Sequence, residues 1–225
     1  MPVRAVSHFW KADWHLSALL ALLLLVVFVF YPMSDLSPLK GILLQAFFSL
    51  VLISGALVVA RSRALAALTT LIAVGTAAIG WVRLFAPSEG LIVVGVSMWI
   101  VFFALLAWVI LMRVFGEGRI TVHRIQGAVA VYLLLGVIWA GCYRLVVHFD
   151  RDAFSVPSAA NEGTLMSKLV YFSFVTLTTV GYGDMTAVNP AARSLAMLEA
   201  LTGQLFLAVL IARLVSLEVV HRNLK

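Results

Sequence analysis

Charged residues are scarce in this sequence. Asp, Glu, Lys and Arg make up 12% of its 225 residues, whereas 63% of the residues are hydrophobic. A soluble domain carries roughly 25% charged residues, because its surface has to face water. The composition therefore excludes a soluble globular domain and indicates an integral membrane protein.

Cysteine is also nearly absent, and so are the residue patterns of common enzymes. Cys142 is the single cysteine, which excludes an intrachain disulfide and a cysteine-based zinc cluster. The five histidines are scattered without the spacing of metal ligands, and neither a phosphate-binding glycine loop nor a supported Ser-His-Asp set is present. We therefore expect no enzyme activity, no structural metal and no cofactor.

What the sequence does contain is a series of long apolar runs separated by short polar loops. Six of these runs approach or exceed the roughly 20 residues that cross the hydrocarbon of a membrane. They cover residues 16–30, 39–60, 64–85, 91–115, 122–147 and 191–217. No small-x-small cleavage site follows the first run, so we interpret it as a retained helix rather than a signal peptide. The sequence predicts an all-α membrane protein with six transmembrane helices.

A seventh apolar segment, residues 165–177, is too short to cross the membrane. It lies between the fifth and sixth runs, and residues 161–164 (Asn-Glu-Gly-Thr) offer helix-capping side chains before it. We predict a re-entrant helix, which is tolerated only where protein or a water-filled cavity surrounds it. The negative pole of its dipole would face the middle of the membrane, where it favours a cation.

The residues that follow, Thr178–Asp184 (TTVGYGD), are called the signature segment below. Successive backbone carbonyls can replace the water shell of a potassium ion if they all point to one side. Such a run needs backbone angles that alternate in hand, and glycine accepts positive φ freely. Gly181 and Gly183 lie where this alternation requires them, and Thr179 can add a hydroxyl oxygen. The segment therefore predicts a potassium site.

The residues from Tyr171 to Met185 (YFSFVTLTTVGYGDM) resemble the pore signature of tetrameric potassium channels, and the resemblance extends over residues 119–217. It implies a selectivity filter through which potassium permeates. The filter residues that it implies are Thr179, Val180, Gly181 and Tyr182, which supply oxygens, and Gly183, which shapes the outer mouth. Thr178 and Asp184 would support this filter.

One signature segment per chain supplies too few oxygens to surround an ion. Closed rotational symmetry would bring four copies together, and the resemblance also implies a homotetramer. We therefore expect a potassium-selective channel whose partners are copies of itself and membrane lipids. Two rival interpretations stay open: a non-conducting or regulatory membrane subunit, and a potassium transporter with channel-like loops. Such a transporter usually carries four pore loops per chain, and this sequence has one.

The last apolar run contains further candidate residues. By the resemblance, Gly203 falls where many such channels carry a hinge glycine in the inner helix. Leu207 and Ile211 follow at helical spacing and are candidates for an apolar gate, although a lipid-facing or helix-packing face would show the same pattern. Glu199 is costly inside a membrane. It either hydrogen-bonds behind the filter, to the pore-helix region or to Arg144, or makes a purely structural polar contact.

Residues 1–115 resemble the layout of a voltage-sensor domain, and residues 116–225 form the predicted pore domain. A voltage sensor needs several arginines on its fourth helix, yet residues 91–112 contain no charged residue. We therefore expect a scaffold around the pore without strong voltage gating. We expect no appended RCK-type or cyclic-nucleotide-binding domain, so the sequence does not predict the gating stimulus.

Lysine and arginine placement predicts the orientation. Most of these residues fall on one side of the six-helix arrangement, together with both termini. By the positive-inside rule that side is cytoplasmic. The net charge of +6 is therefore expected on cytoplasmic loops rather than at a nucleic-acid site. We expect a multi-pass protein of the plasma membrane (cell inner membrane), with both termini in the cytoplasm.

Overall fold

The protein is almost entirely helical in the computed structural model, which describes residues 15–30, 38–59, 63–86, 88–116, 121–155 and 162–223. The helices are α1 (residues 15–30), α2 (Pro38–Val59), α3 (Arg63–Phe85), α4 (Glu89–Val114), α5 (Val122–Phe149), α6 (Glu162–Leu177) and α7 (Pro190–Asn223). The last five residues of α1, Val26–Phe30, form a π-helical turn. Two strands of two residues each, β1 (Phe154–Ser155) and β2 (Thr186–Ala187), pair antiparallel. The predicted all-α fold class is confirmed.

Five of the described helices are long and apolar enough to cross a membrane, by length and composition. Their candidate spans are Gly41–Val59, Leu65–Phe85, Glu89–Val114, Val122–Phe149 and Pro190–Ser216. The apolar part of α1, His15–Val29, is shorter than these spans, and residues 1–14 lie outside the described residues. The chain is thus a multi-pass integral membrane protein, and the sixth predicted span stays a prediction.

Helix α5 is the most enclosed of the candidate spans. Within this chain 56% of its spanning window is buried, against 11% for α7. A Cβ atom at Gly141 would lie 2.8 Å from the Trp99 ring of α4, so the two helices approach closely there. Helix α5 also approaches α6 closely, because a Cβ atom at Gly136 would lie 2.6 Å from the Phe174 ring of α6. Helix α5 therefore joins the leading helices to α6.

The leading helices pack around a cluster of aromatic rings on α2 and α4. These rings meet edge to face, with centroids 5.5 to 6.1 Å apart, and belong to Phe48, Trp99, Phe102 and Phe103. Helix α1 is attached to α5 by a hydrogen bond from Ser17 Oγ to Gln126 Oε1 at 3.0 Å. Its π-helical turn reaches α6, where the Phe28 and Phe174 ring centroids are 6.1 Å apart.

Helix α4 carries charge only at its two ends. At the C-terminal end, Arg113 Nη2 donates to the carbonyl of Val58 at 2.9 Å. At the N-terminal end, the Glu89 carboxylate lies 3.2 Å from Arg151 and 3.4 Å from His148. The pair with Arg151 is solvent-exposed and contributes at most about 1 kcal/mol to stability. Residues 91–112 of α4, between these two ends, therefore contain no charged residue, as the sequence shows.

A short ladder between β1 and β2 joins the loop after α5 to the segment before α7. The Asn189 side chain reinforces it, since its Nδ2 donates to Asp150 Oδ2 at 2.6 Å. Its Oδ1 accepts a hydrogen bond from the Ala191 N–H at 2.7 Å. Asn189 thereby caps α7, whose first residue is Pro190. The ladder and the cap fix the start of α7 beside the end of α5, with the signature segment between α6 and α7.

Candidate functional site

The signature segment leaves the C-terminal end of α6 through hydrogen bonds that turn its N–H groups back toward the helix. The Thr179 N–H donates to the carbonyl of Thr176 at 2.9 Å, and the Val180 N–H donates to the carbonyl of Val175 at 3.0 Å. Among the described residues, none donates a hydrogen bond to the carbonyl oxygens of residues 179–182. Because backbone carbonyls away from water need a partner, these oxygens are available to a cation or to water.

Backbone handedness alternates along the signature segment. The φ angles are 57° at Thr179, 58° at Gly181 and 80° at Gly183, so every second residue lies in the left-handed region. The two glycines take the positive φ that the sequence predicts. Thr179 was not expected there, because a left-handed L-residue costs roughly 1–2 kcal/mol. This strain at the base of the segment has to be offset by contacts with its surroundings.

The C-terminal end of the segment is hydrogen-bonded to α6. Tyr171 Oη donates to Asp184 Oδ2 at 2.8 Å. The other carboxylate oxygen of Asp184 accepts the N–H of Met185 at 3.0 Å. Sequence reasoning included Tyr171 in the pore signature but gave it no role. The contact ties the far end of the signature segment to the helix that precedes it, so both ends of the segment are anchored to α6.

The C-terminal carbonyl of α6 is held between α5 and α7. Tyr132 Oη of α5 donates to the Leu177 carbonyl at 3.2 Å. A Cβ atom built on Gly203 of α7 would lie 2.1 Å from the same oxygen, so only glycine permits this approach. Helix α7 runs without interruption through Gly203. The structure therefore gives this glycine a packing role, and a hinge role stays a prediction.

Further along α7, one polar side chain reaches the base of the signature segment. Gln204 Nε2 donates to Thr179 Oγ1 at 2.9 Å. Sequence reasoning missed Gln204, because on this helix it considered Glu199 and the face of Gly203, Leu207 and Ile211. Leu207 and Ile211 are 40% and 61% exposed in the single chain. They belong to the open side of α7, and no contact in the described residues assigns them to a gate.

Glu199 is completely buried behind the signature segment. Its Oε2 accepts a hydrogen bond from Tyr143 Oη of α5, and its Oε1 lies 2.5 Å from Ser173 Oγ of α6. These contacts correspond to the predicted bond to the pore-helix region. Neither of these two hydrogen bonds involves Arg144, the other hydrogen-bond partner considered. Glu199 thus connects α5, α6 and α7.

The two contacts of the Ser173 hydroxyl bear on whether Glu199 carries a proton. Besides contacting Glu199, Ser173 Oγ lies 2.6 Å from the carbonyl of Gly136. A serine hydroxyl has one hydrogen and a backbone carbonyl cannot donate, so both contacts are satisfied together only when Glu199 carries a proton on Oε1. A neutral carboxyl group also avoids the high cost of a buried charge. We interpret Glu199 as a carboxylic acid that joins three helices.

Comparison with known proteins covers the part of the chain that contains this site. A family model described as an ion channel matches residues 129–219. The two-pore potassium channel 4 of Arabidopsis thaliana is 37% identical over 86 residues, which are 38% of this chain and 26% of that protein. The chain thus matches about a quarter of the length of this relative. No solved structure matches the chain. Residues 129–219 of this protein are thus similar to ion channels, and 86 residues of the chain are similar to part of a potassium channel.

Proposed function

We propose that the protein is a potassium-selective channel that conducts potassium passively across the membrane. The observation that carries this proposal is the alternation of positive φ at Thr179, Gly181 and Gly183. It occurs in a segment whose carbonyl oxygens accept no hydrogen bond from the described residues. A backbone of alternating hand turns successive carbonyls to one side, as coordination of a dehydrated cation requires.

Within this proposal each part of the site has a role. Oxygens of Thr179, Val180, Gly181 and Tyr182 coordinate potassium, and Gly183 shapes the outer mouth. Thr178 and Asp184 support the filter, and the hydrogen bond from Tyr171 holds the Asp184 carboxylate in place. Gly203 lets α7 approach the end of α6. Leu207 and Ile211 lie one and two turns beyond it, where they would line the inner part of the conduction path.

The active form in this proposal is a homotetramer. One chain supplies one wall of coordinating oxygens, and fourfold symmetry completes the shell. Helix α7 offers the surface for this assembly, because only 11% of its spanning window is buried within the chain. Its exposed apolar side chains would face neighbouring copies, the conduction path or lipid. Both termini would lie in the cytoplasm, with the protein in the plasma membrane.

The first four helices act as a scaffold in this proposal. They share one apolar core with α5, and residues 91–112 of α4 contain no charged residue. A second candidate function, a non-conducting regulatory subunit of a channel assembly, would also keep this scaffold. It would not require an alternating backbone with open carbonyls. The backbone of the signature segment therefore favours conduction.

Ion flux into liposomes tests the proposal directly. Purified protein is reconstituted into vesicles, and uptake is followed with potassium and then with sodium as the only permeant cation. We expect uptake of potassium well above that of sodium. Equal uptake of the two ions would contradict selectivity. Absence of flux at every voltage and pH tried would favour the regulatory subunit instead.

A further inference from the structure

The hydroxyl of Thr179 has a partner on α7 that the proposed function does not use. Gln204 Nε2 donates to Thr179 Oγ1 at 2.9 Å, across 25 residues of sequence. The side chain of Gln204 is exposed in the single chain, so nothing in this protomer shields the contact. Among the described residues, none donates to its Oε1. The amide nitrogen of Gln204 therefore anchors Thr179, and the amide oxygen of Gln204 stays available to another ligand.

This contact constrains a strained residue. Thr179 has a φ of 57°, although it is neither glycine nor asparagine. Its hydroxyl oxygen has two lone pairs, and the Gln204 N–H takes one of them. The second lone pair stays available to an ion. The Gln204 amide thus selects the rotamer of Thr179 and fixes the direction in which its hydroxyl oxygen points.

We propose that Gln204 determines the ion selectivity and affinity of the innermost cation site. The inference rests on the proposed function, because four chains are needed to close the site. In the tetramer, four Gln204 amides form a polar collar directly below the four Thr179 hydroxyls. Their oxygens offer neutral ligands to a cation that has lost part of its water. Neutral amide oxygens attract a cation without holding it as strongly as carboxylates would.

The chain offers a matched control on the same helix. Thr202 is a polar residue two positions earlier, and its hydroxyl donates to the carbonyl of Leu198 at 2.7 Å. This bond lies within α7 and does not involve the signature segment. Thr202→Val therefore removes a polar group from the same region of α7 without touching Thr179.

The test compares Gln204→Leu, Gln204→Glu and Thr202→Val with the wild type in planar bilayers. One readout is the permeability ratio of potassium to sodium. The other is block by Ba²⁺, a divalent cation of nearly the size of potassium, applied from the side on which α7 ends. For Gln204→Leu we expect a lower permeability ratio and a roughly tenfold weaker block, because the variant loses the hydrogen bond that anchors Thr179. For Gln204→Glu we expect a block at least tenfold tighter, because it places four negative charges at the collar.

Thr202→Val is expected to match the wild type in both readouts. If both Gln204 variants keep the wild-type permeability ratio and Ba²⁺ block within twofold, the inference is wrong and the proposed function stands. A second measurement needs no conduction: the rise in thermal stability of the purified protein when potassium replaces sodium. Gln204→Leu should lose most of this rise. A wild type that conducts no potassium defeats the proposed function, whereas an equal rise in wild type and Gln204→Leu defeats this inference.

Discussion

At the scale of single residues, the signature segment depends on which positions adopt positive φ. Gly181 and Gly183 could be predicted from sequence, because glycine is the residue that accepts this region at little cost. Thr179 could not be predicted, since its strain is offset by partners distant in sequence. One of these is Gln204 on α7. Local propensity therefore identified two of the three left-handed positions, and tertiary contacts decided the third.

Substitution of Gly181 by alanine tests the requirement for handedness alone. A Cβ atom there would meet nothing within 4 Å, so the expected cost of Gly181→Ala comes from its φ of 58°. We expect roughly 1–2 kcal/mol of backbone strain per chain and loss of selective potassium flux. Gly90→Ala is the matched control, because its Cβ atom would also meet nothing within 4 Å and Gly90 has no positive φ. Wild-type selectivity in Gly181→Ala would show that positive φ at this position is not required for selective flux.

Our interpretation of Glu199 as a protonated carboxylic acid makes a second residue-scale prediction. An amide can donate to Ser173 and accept from Tyr143, as a protonated carboxyl group does, so Glu199→Gln should keep wild-type thermal stability in detergent. Glu199→Leu should lower it by about 2 kcal/mol per chain, because two buried hydroxyls lose their partner. If Glu199→Gln is as unstable as Glu199→Leu, the carboxyl group is charged and our interpretation of the cluster is wrong.

At the scale of elements, sequence predicted the long helices and the short helix α6 well, but neither the two strands nor the π-helical turn. Residues 122–147 were predicted for the fifth run, and α5 covers Val122–Phe149. An apolar run fixes a helix because every backbone group has to be satisfied within the membrane. The ladder of β1 and β2 and the π-helical turn of α1 left no such signal. Two residues of strand have no periodicity, and their pairing depends on how α5 and α7 are placed.

The crossing of α7 over the end of α6 makes a prediction at this scale. In Gly203→Ala a Cβ atom would lie 2.1 Å from the Leu177 carbonyl oxygen, a backbone atom that cannot rotate away. Helix α7 would have to shift from α6, at a cost of about 1–3 kcal/mol for overpacking. We expect a lower unfolding temperature and a smaller potassium flux in liposomes. Gly90→Ala again serves as the control, and a Gly203→Ala protein with wild-type values in both measurements would show that the approach is not required.

At the scale of the whole molecule, the helices differ in how much of their surface is buried by other parts of the same chain. Helix α5 is mostly enclosed, whereas α7 is nearly bare within the chain. Sequence alone could not predict this difference, because both helices are predominantly apolar and carry only a few polar side chains. Apolar composition shows that a helix lies in the membrane, and only the packing of neighbours shows whether lipid or protein covers it.

The exposed apolar surface of α7 favours assembly into the proposed homotetramer. Four copies are needed to surround an ion with the oxygens of one segment per chain. We therefore expect native mass spectrometry of the protein, released from detergent micelles, to give a complex of four chain masses. Monomers or dimers as the largest species under conditions that support potassium flux would contradict the proposed tetramer. A matching measurement on Gly203→Ala would show whether the position of α7 also controls assembly.

The charge distribution of the whole chain predicts weak voltage dependence. One elementary charge that crosses the full field contributes about 2.3 kcal/mol per 100 mV, and a tenfold change in open probability needs about 1.4 kcal/mol. Helix α4 carries charge only at Glu89 and Arg113, and Arg113 is bonded to the Val58 carbonyl. We expect the open probability in bilayer recordings to change less than tenfold per 100 mV, and Arg113→Gln to leave this slope unchanged. A steeper dependence would mean that charge outside α4 moves through the field, and the first four helices would then be more than a scaffold.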